Sequence, residues 1–235
     1  MAKTDLTAAD LNKLMEWDTP TICNGLEHLS SEYRVKSFTV EQMQCFDPSL
    51  PPIIGYARTA MIRSMTPPEG KPEDKREMKA RYYETIAAPP KPSISVIQDL
   101  DPNPGFGAFW GELNTAIHKG LGCLGVVTNG SFRDLDACAP DFQLLGGKIV
   151  PSHAWVHLVA IECEVNIFGM AVKPNDIIHA DRHGAVVVPE ECVKELPSAI
   201  DVMTRREAVI LEVARSPDFN VETLKKAMAD SAEIH

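Results

Sequence analysis

Three charged side chains in this 235-residue chain stand where chemistry is easiest to build: Glu112 and the adjacent pair Arg133 and Asp134. Glu112 lies in Trp110-Gly111-Glu112-Leu113-Asn114, after a Gly- and Pro-containing loop, and opens a helical stretch. The first turn of a helix presents backbone N–H groups without intrahelical acceptors, and the helix dipole adds positive potential, so residues 111–114 are suited to hold a carboxylate. Arg133 and Asp134 close Val127-Thr128-Asn129-Gly130-Ser131-Phe132-Arg133-Asp134, the turn that leaves a short apolar strand. A guanidinium is a planar fork for an oxo-acid carboxylate or an enolate oxygen. Aspartate is a hard oxygen ligand for Mg2+ or Mn2+, cations that keep several waters when few protein groups hold them. Glu112 would then act on such a water. A cation that polarises a 2-oxo group stabilises the enolate formed when the neighbouring C–C bond breaks. On spacing alone the plainer reading is a solvated Arg–Asp turn and a capping Glu, since such pairs are common and individually weak.

Catalytic groups in parallel α/β folds gather at the carboxyl ends of strands, beside helix N-termini. The pattern supplies such elements: a buried strand at 93–100, a helix at 110–119 closed by Gly120, a strand at 124–128, a short helix at 135–139 and a strand at 147–150. This β-α-β-α-β order predicts a parallel sheet. Upstream, residues 7–17 read as a helix capped by Asp5 or Thr7, and residues 21–29 as a second, with Pro20 in its first turn. Residues 53–65 read as a strand bent at Gly55-Tyr56, residues 66–72 as a loop, and residues 73–88 as a helix ended by Pro89-Pro90. Downstream, residues 156–165, 169–172, 176–179 and 185–188 are β-rich, so the sheet is mixed; residues 190–215 and 220–229 are helical. The expectation is one α/β domain over 1–235, with an N-terminal helical extension (1–50), a core (51–190) and C-terminal helices (191–235).

Composition narrows the function classes. The net charge of −10 and the lack of a basic cluster, apart from the acid-interleaved stretch 71–81, argue against nucleic acid as a partner. No apolar run approaches the roughly 20 residues that span a bilayer, and the first residues lack an apolar signal region, so no membrane partner and a cytoplasmic location are expected. Six cysteines without any C-x-x-C pair support neither a disulfide framework nor structural zinc.

Other groups invite chemistry less strongly. His179 and His183 are four apart, but on a strand and turn that spacing does not put both on one face, and Asp181 between them reads as a backbone-binding turn residue. His153 or His157 could line a pocket as a proton donor, although a partly buried structural histidine is commoner. Lys119 and Lys148 lack a desolvating or cationic setting for Schiff-base chemistry and read as surface lysines. Arg205-Arg206-Glu207 reads as a solvated or intersubunit helix face.

Taken together, several segments resemble the RraA-like superfamily. Glu112, twenty intervening residues, then Arg133-Asp134 is similar to its D/E-x20-R-D signature. Gly125-Val126-Val127-x-x-Gly130-x-x-Arg133-Asp134 resembles its G-V-V-x-D-G-x-x-R-D strand and turn, and Ile54-Gly55-x-Ala57-x-Thr59 its G-x-A-x-T strand. Gly169-Met170-x-Val172-x-Pro174-x-Asp176 and Asp181-Arg182-His183-Gly184-x-Val186-Val187-x-Pro189 resemble its later runs, so the likeness spans about residues 20–190. It implies a swivelling β/β/α core with a mixed sheet, assembled as a homotrimer or a dimer of trimers. In the class II 4-hydroxy-4-methyl-2-oxoglutarate and 4-carboxy-4-hydroxy-2-oxoadipate aldolases of this superfamily it implies Mg2+ (or Mn2+) on Asp134 and Glu112 reaching the metal through water. The 2-oxo acid substrate would lie on Arg133 and the amides of Gly111, Glu112, Leu113 and Asn114. An acidic residue of the neighbouring subunit's C-terminal helix, Glu207 or Glu212, would complete the site. The activity implied is cleavage of a 4-hydroxy-2-oxo acid to pyruvate, with oxaloacetate decarboxylation as a side reaction. The alternative is a non-catalytic regulator that binds RNase E. Asn129, Asn175 and Asn24 depart from the pattern, where Asp, Gly and Asp are usual; the first two read as turn-compatible replacements.

Overall fold

A computed structural model of the chain describes residues 6–35 and 37–234. Two helices come first, α1 (Ala8–Leu14) and α2 (Thr19–Leu29). Thr7 caps α1 in a reciprocal capping box with Asp10, whose carboxylate accepts from the Thr7 N–H at 2.8 Å. Asp5, the other candidate cap, lies outside the described residues. Asp18 caps α2, and Pro20 sits in its first turn, where a missing N–H costs nothing.

The strands are β1 (Gln44–Cys45), β2 (Ile53–Arg63), β3 (Ser93–Asp99), β4 (Cys123–Thr128), β5 (Ser131–Phe132), β6 (Gln143–Gly146), β7 (Lys148–Ile149), β8 (His157–Ile161), β9 (Val165–Ile167), β10 (Met170–Val172), β11 (Ile177–Asp181) and β12 (Gly184–Val188). Helices α3 (Pro72–Ala87) and α4 (Glu112–Gly120) alternate with β2, β3 and β4, while α5 (Leu196–Ala214) and α6 (Val221–Ala232) end the chain. The main sheet runs β1-β6-β4-β3-β2-β11-β12, with β2, β3, β4 and β6 parallel to their neighbours in that set and the rest antiparallel. The expected parallel β-α-β core and mixed periphery are therefore both present.

Strand β2 is the spine. One edge is parallel to β3 along most of its length; the other is shared, with β11 pairing Ile53–Tyr56 and β8 pairing Ala60–Arg63. Its side chains alternate between faces, as a strand must. Ile53 and Ala57 pack with Val96, Val127 and the β9–β10 hairpin. Ile54 packs under α1, α2 and α5. Ala60 and Ile62 pack under Tyr82 and Ile86 of α3 and against Trp110 and Phe132. Each fully buried Ile, Leu or Phe among these contributes about 1.5–3 kcal/mol.

Three expectations shift. β2 is unbroken through Gly55, and the glycine is there because a Cβ would stand 2.8 Å from the Pro92 carbonyl oxygen as β3 enters the sheet. The strand expected at 147–150 is mainly a different one, β6 at Gln143–Gly146, whose Leu144 and Leu145 are buried; Lys148 and Ile149 pair instead with β5. Finally, α4 begins at Glu112 rather than Trp110, because Trp110 is held in a bridge to Phe132.

Candidate active site

Glu112 is the first residue of α4, and Gly111 is its N-cap with no side-chain cap hydrogen bond. The first helical bond is Thr115 N–H to the Gly111 carbonyl at 3.0 Å. The amides of 112–114 thus precede the intrahelical ladder, and they share their end of the helix with the positive pole of the dipole. Leu113 is exposed, and the Asn114 side chain is occupied, donating to the Phe109 carbonyl and accepting from the Tyr83 hydroxyl.

The loop that delivers Gly111 is stapled by two aspartates that sequence reading passed over. Asp99, 2% exposed, ends β3 and accepts the N–H groups of Asp101 and Gly105. Asp101 accepts the N–H and hydroxyl of Ser64, at 2.6 and 2.9 Å, and the N–H of Met65 at 2.9 Å. The Ser64 hydroxyl in turn accepts the Gly107 N–H. A D-x-D pair closing a strand before a Gly/Pro loop was the available signal. Burial raises the Asp99 pKa above the ordinary carboxylate value, with its two N–H donors opposing the shift.

Asn129 completes the staple. Its side-chain oxygen accepts the Asp99 N–H at 2.7 Å, and its amide nitrogen donates to the Asp99 carbonyl at 3.0 Å. It acts as one more rung between β4 and β3, rather than as the left-handed turn residue expected. Asn175, by contrast, does adopt the left-handed conformation (φ 68°) that glycine would occupy.

Three ties bring the Arg133–Asp134 turn to the start of α4. The Arg133 N–H donates to the Trp110 carbonyl at 2.9 Å. The Thr115 hydroxyl donates to the carbonyls of Gly111 and Glu112 while accepting the Ala139 N–H, so the turn after Asp134 is bolted to the first turn of the helix. The Asp134 carboxylate also lies against Gly111: a Cβ there would stand 2.6 Å from Oδ2, which leaves glycine as the residue that gives the carboxylate its seat. Asp134 itself is left-handed (φ 55°, ψ 41°), and its side chain retains 33% exposure. Arg133 Nη1 stands 3.3 Å from Asp134 Oδ1. Beside them opens a shallow cleft of about 390 Å³ lined by Arg133, Asp134, Leu135, Ile149, Val150 and Pro151. Burial raises the thiol pKa of nearby Cys138, the Thr115 hydrogen bond lowers it, and the charges of Asp134 and Glu112 raise it further; both carboxylates therefore act on one neighbourhood.

Among the described residues no group of three or more His, Cys, Asp and Glu is placed to hold a metal. The seat at Gly111 suits a different arrangement, in which one hard carboxylate oxygen, that of Asp134, would hold a largely hydrated Mg2+ or Mn2+. Glu207 and Glu212 are exposed on α5, and the small pocket that Glu207 lines with Thr21 and Asn24 contains none of the residues above. Neither is brought to the site within one chain.

The rival groups have structural work. His179 is fully buried between the Thr19 hydroxyl and the Leu14 carbonyl, and Asp181 accepts the N–H groups of Thr19 and His183, the turn role expected of it. His153 and His157 are absent from the lining of the Arg133–Asp134 cleft, and His157 faces a separate cleft of about 520 Å³ beside Arg63 and Lys75. Lys148 donates to Asn103, and Lys119 to the Pro140 carbonyl and the Asp141 carboxylate. His118, which sequence reading left unmarked, is buried in α4 and joined to the Tyr82 hydroxyl, itself 2.9 Å from Ser95, so it anchors α4 to α3 and β3.

Comparison with known proteins agrees with this architecture. A solved structure of an uncharacterized protein from Pseudomonas syringae pv. tomato superposes with a TM-score of 0.73 at 21% identity, covering 98% of this chain and 97% of that one. Streptomyces coelicolor RraAS2, described as an unusual member of the RNase ES inhibitor RraA protein family, gives 0.67 at 21% identity over 87% and 97%. In sequence, the uncharacterized protein MJ0644 of Methanocaldococcus jannaschii is 33% identical over 115 residues, or 48% of this chain. The chain spans about half (55%) of that relative's length. A family model described as RraA-like, Aldolase/RraA, matches residues 19–187, which contain α2, all of the sheet but the last residue of β12 and both junctions of the site; the chain therefore belongs to the RraA-like family.

Proposed function

We propose that this protein is a divalent-cation-dependent carbon–carbon lyase of the class II aldolase type, which cleaves 4-hydroxy-2-oxo acids to pyruvate and a second oxo acid or aldehyde. The observation that carries the reading is the seat of Asp134 against Gly111, which sets a hard ligand and a guanidinium that line one open cleft beside an uncapped helix start. Mg2+ (or Mn2+) held by Asp134 would supply Lewis-acid polarisation of the 2-oxo group. Arg133 would bind the oxo-acid carboxylate as a fork, and the amides of 112–114 would hold its second oxygen. Glu112 would receive, through water, the proton of the C4 hydroxyl as the C3–C4 bond breaks. The electron pair of that bond becomes the enolate of pyruvate, which Arg133 stabilises electrostatically until C3 is protonated. Oxaloacetate would lose CO2 through the same enolate. The exposed Glu207 and Glu212 would be available to a neighbouring copy in a trimer or a dimer of trimers.

The test is pyruvate release from a set of 4-hydroxy-2-oxo acids, coupled to lactate dehydrogenase, with Mg2+ and with EDTA. Turnover that needs the cation and vanishes in Asp134→Ala is the expected result; turnover indifferent to EDTA would sink the reading. Tight association with RNase E and no lyase activity would favour the regulator instead.

A further inference from the structure

On the far edge of β2 the two antiparallel partners leave a gap. β11 ends its pairing at Tyr56 and β8 begins at Ala60, so Ala57 and Thr59 are met by turns instead: Asn175 N–H donates to the Ala57 carbonyl and Glu162 N–H to that of Thr59. A crevice forms where the two neighbouring strands diverge. Here it measures about 300 Å³, the small end of the range for ligand pockets, and its lining includes Arg58, Arg81, Glu84, Thr85, Glu162 and Asn175.

Its floor holds an uncompensated cation. Arg58 is only 7% exposed, yet among the described residues no carboxylate lies within ion-pair distance of it. Nη1 donates to the Asn175 side chain and Nη2 to the carbonyls of Ala88 and Pro90, all neutral acceptors, while Nε has no partner. Burial works against the Arg58 charge; Glu162 at the rim favours it from beyond bonding distance. A buried charge without an opposite charge is costly, and proteins ordinarily pair it or use it. Arg81, exposed on α3 at the same rim, likewise has no ion pair among the described residues.

We propose that this crevice is a second ligand site, separate from Arg133 and Asp134, that binds a small oxyanion (a phosphate or carboxylate group) against Arg58 and Arg81. Calorimetric titration of the intact chain with phosphate and with succinate, in EDTA and against NaCl of equal ionic strength, tests it. Saturable binding of either anion beyond the NaCl response is expected, and which one binds identifies the ligand's charged group. Arg81→Gln should weaken it at least fivefold, and Glu162→Gln should tighten it several-fold by removing the competing carboxylate. Asp134→Ala should leave it unchanged. Arg58→Lys should abolish it, and if that variant fails to fold the two rim variants decide. No saturable response, binding unmoved by both rim variants, or binding lost in Asp134→Ala would each overturn the proposal. So would a Glu162→Gln protein that loses thermal stability with unchanged binding, since Glu162 would then be the counter-charge of Arg58.

Discussion

Two pairs of carboxylates frame the same loop and have opposite settings. Asp99 and Asp101, 2% and 5% exposed, spend their lone pairs on backbone and side-chain donors. Glu112 is exposed at a helix start and Asp134 keeps a third of its side chain in solvent, with Arg133 as its ion-pair partner among the described residues. The first pair holds the backbone still; the second leaves oxygen atoms available. The difference teaches that saturation, rather than charge or motif, separates a carboxylate that builds a site from one that can serve in it.

The largest effects should split cleanly along that line. Asp134→Ala should lower pyruvate release by about 10³-fold, on the order of 4 kcal/mol of transition-state stabilisation, while its urea midpoint stays near the parent's. Asp101→Ala should do the reverse to stability. It orphans three donors in a buried turn, so a loss of roughly 3 kcal/mol is expected in urea unfolding, with activity falling only through the loosened loop. Comparable stability losses in both variants would erase the distinction.

Next comes pH. His118 and His179 are buried, and burial lowers both pKa values to about 4 from 6.5. Carbonyl oxygens only accept, so His118 Nδ1 donates to Asn114 and its Nε2 accepts from Tyr82, while His179 Nε2 donates to Leu14 and its Nδ1 accepts from Thr19. Below pH 6.5 the unfolded chain takes up these protons and the folded chain does not, so stability is full above 6.5 and is lost as pH falls toward 4. Each histidine accounts for roughly 3 kcal/mol over that window. Urea midpoints across pH 4–7 should show the slope, and His118→Gln should flatten about half of it; an unchanged slope would mean the imidazole is already charged in the fold.

How much of this was legible follows from the range of each interaction. The Thr7 cap and the first-turn place of Pro20 were readable because each acts within one turn, while the Asp18 cap went unread. The chemistry-bearing groups 112, 133 and 134 were readable as types and spacing, but not their junction, since the seat of Asp134 depends on how Gly111 is delivered. Asp101 looked like an ordinary polar loop residue because its partners at Ser64 and Met65 are far away in sequence, and Asp99 like the polar end of a strand, although its carboxylate accepts from Asp101 and Gly105 close by. The strand expected at 147–150 was displaced by a few residues from β6, whose last residue, Gly146, packs on the Phe132 ring, a partner distant in sequence. Arg58 looked like one more strand residue, and only the sheet's divided edge exposes its lack of a counter-charge.

The smallest effect tests the boundary between the two pairs. Asn129 stands where the family pattern has Asp, and Asn129→Asp would restore that pattern. The exchange should nonetheless destabilise this chain. The present amide both accepts from the Asp99 N–H and donates to the Asp99 carbonyl; a carboxylate keeps the first bond, turns the second into an oxygen–oxygen contact and adds charge beside Asp99 and Asp101. A cost of about 1 kcal/mol in urea unfolding is expected at neutral pH. Protonation would return the lost donor, so the folded state should hold the new proton more tightly than the unfolded chain does. With its folded pKa raised, the deficit relative to the parent must shrink as pH falls through that pKa and grow as pH rises. A deficit independent of pH would place the damage in packing rather than in the missing donor, and would remove Asn129 from the staple that holds the loop.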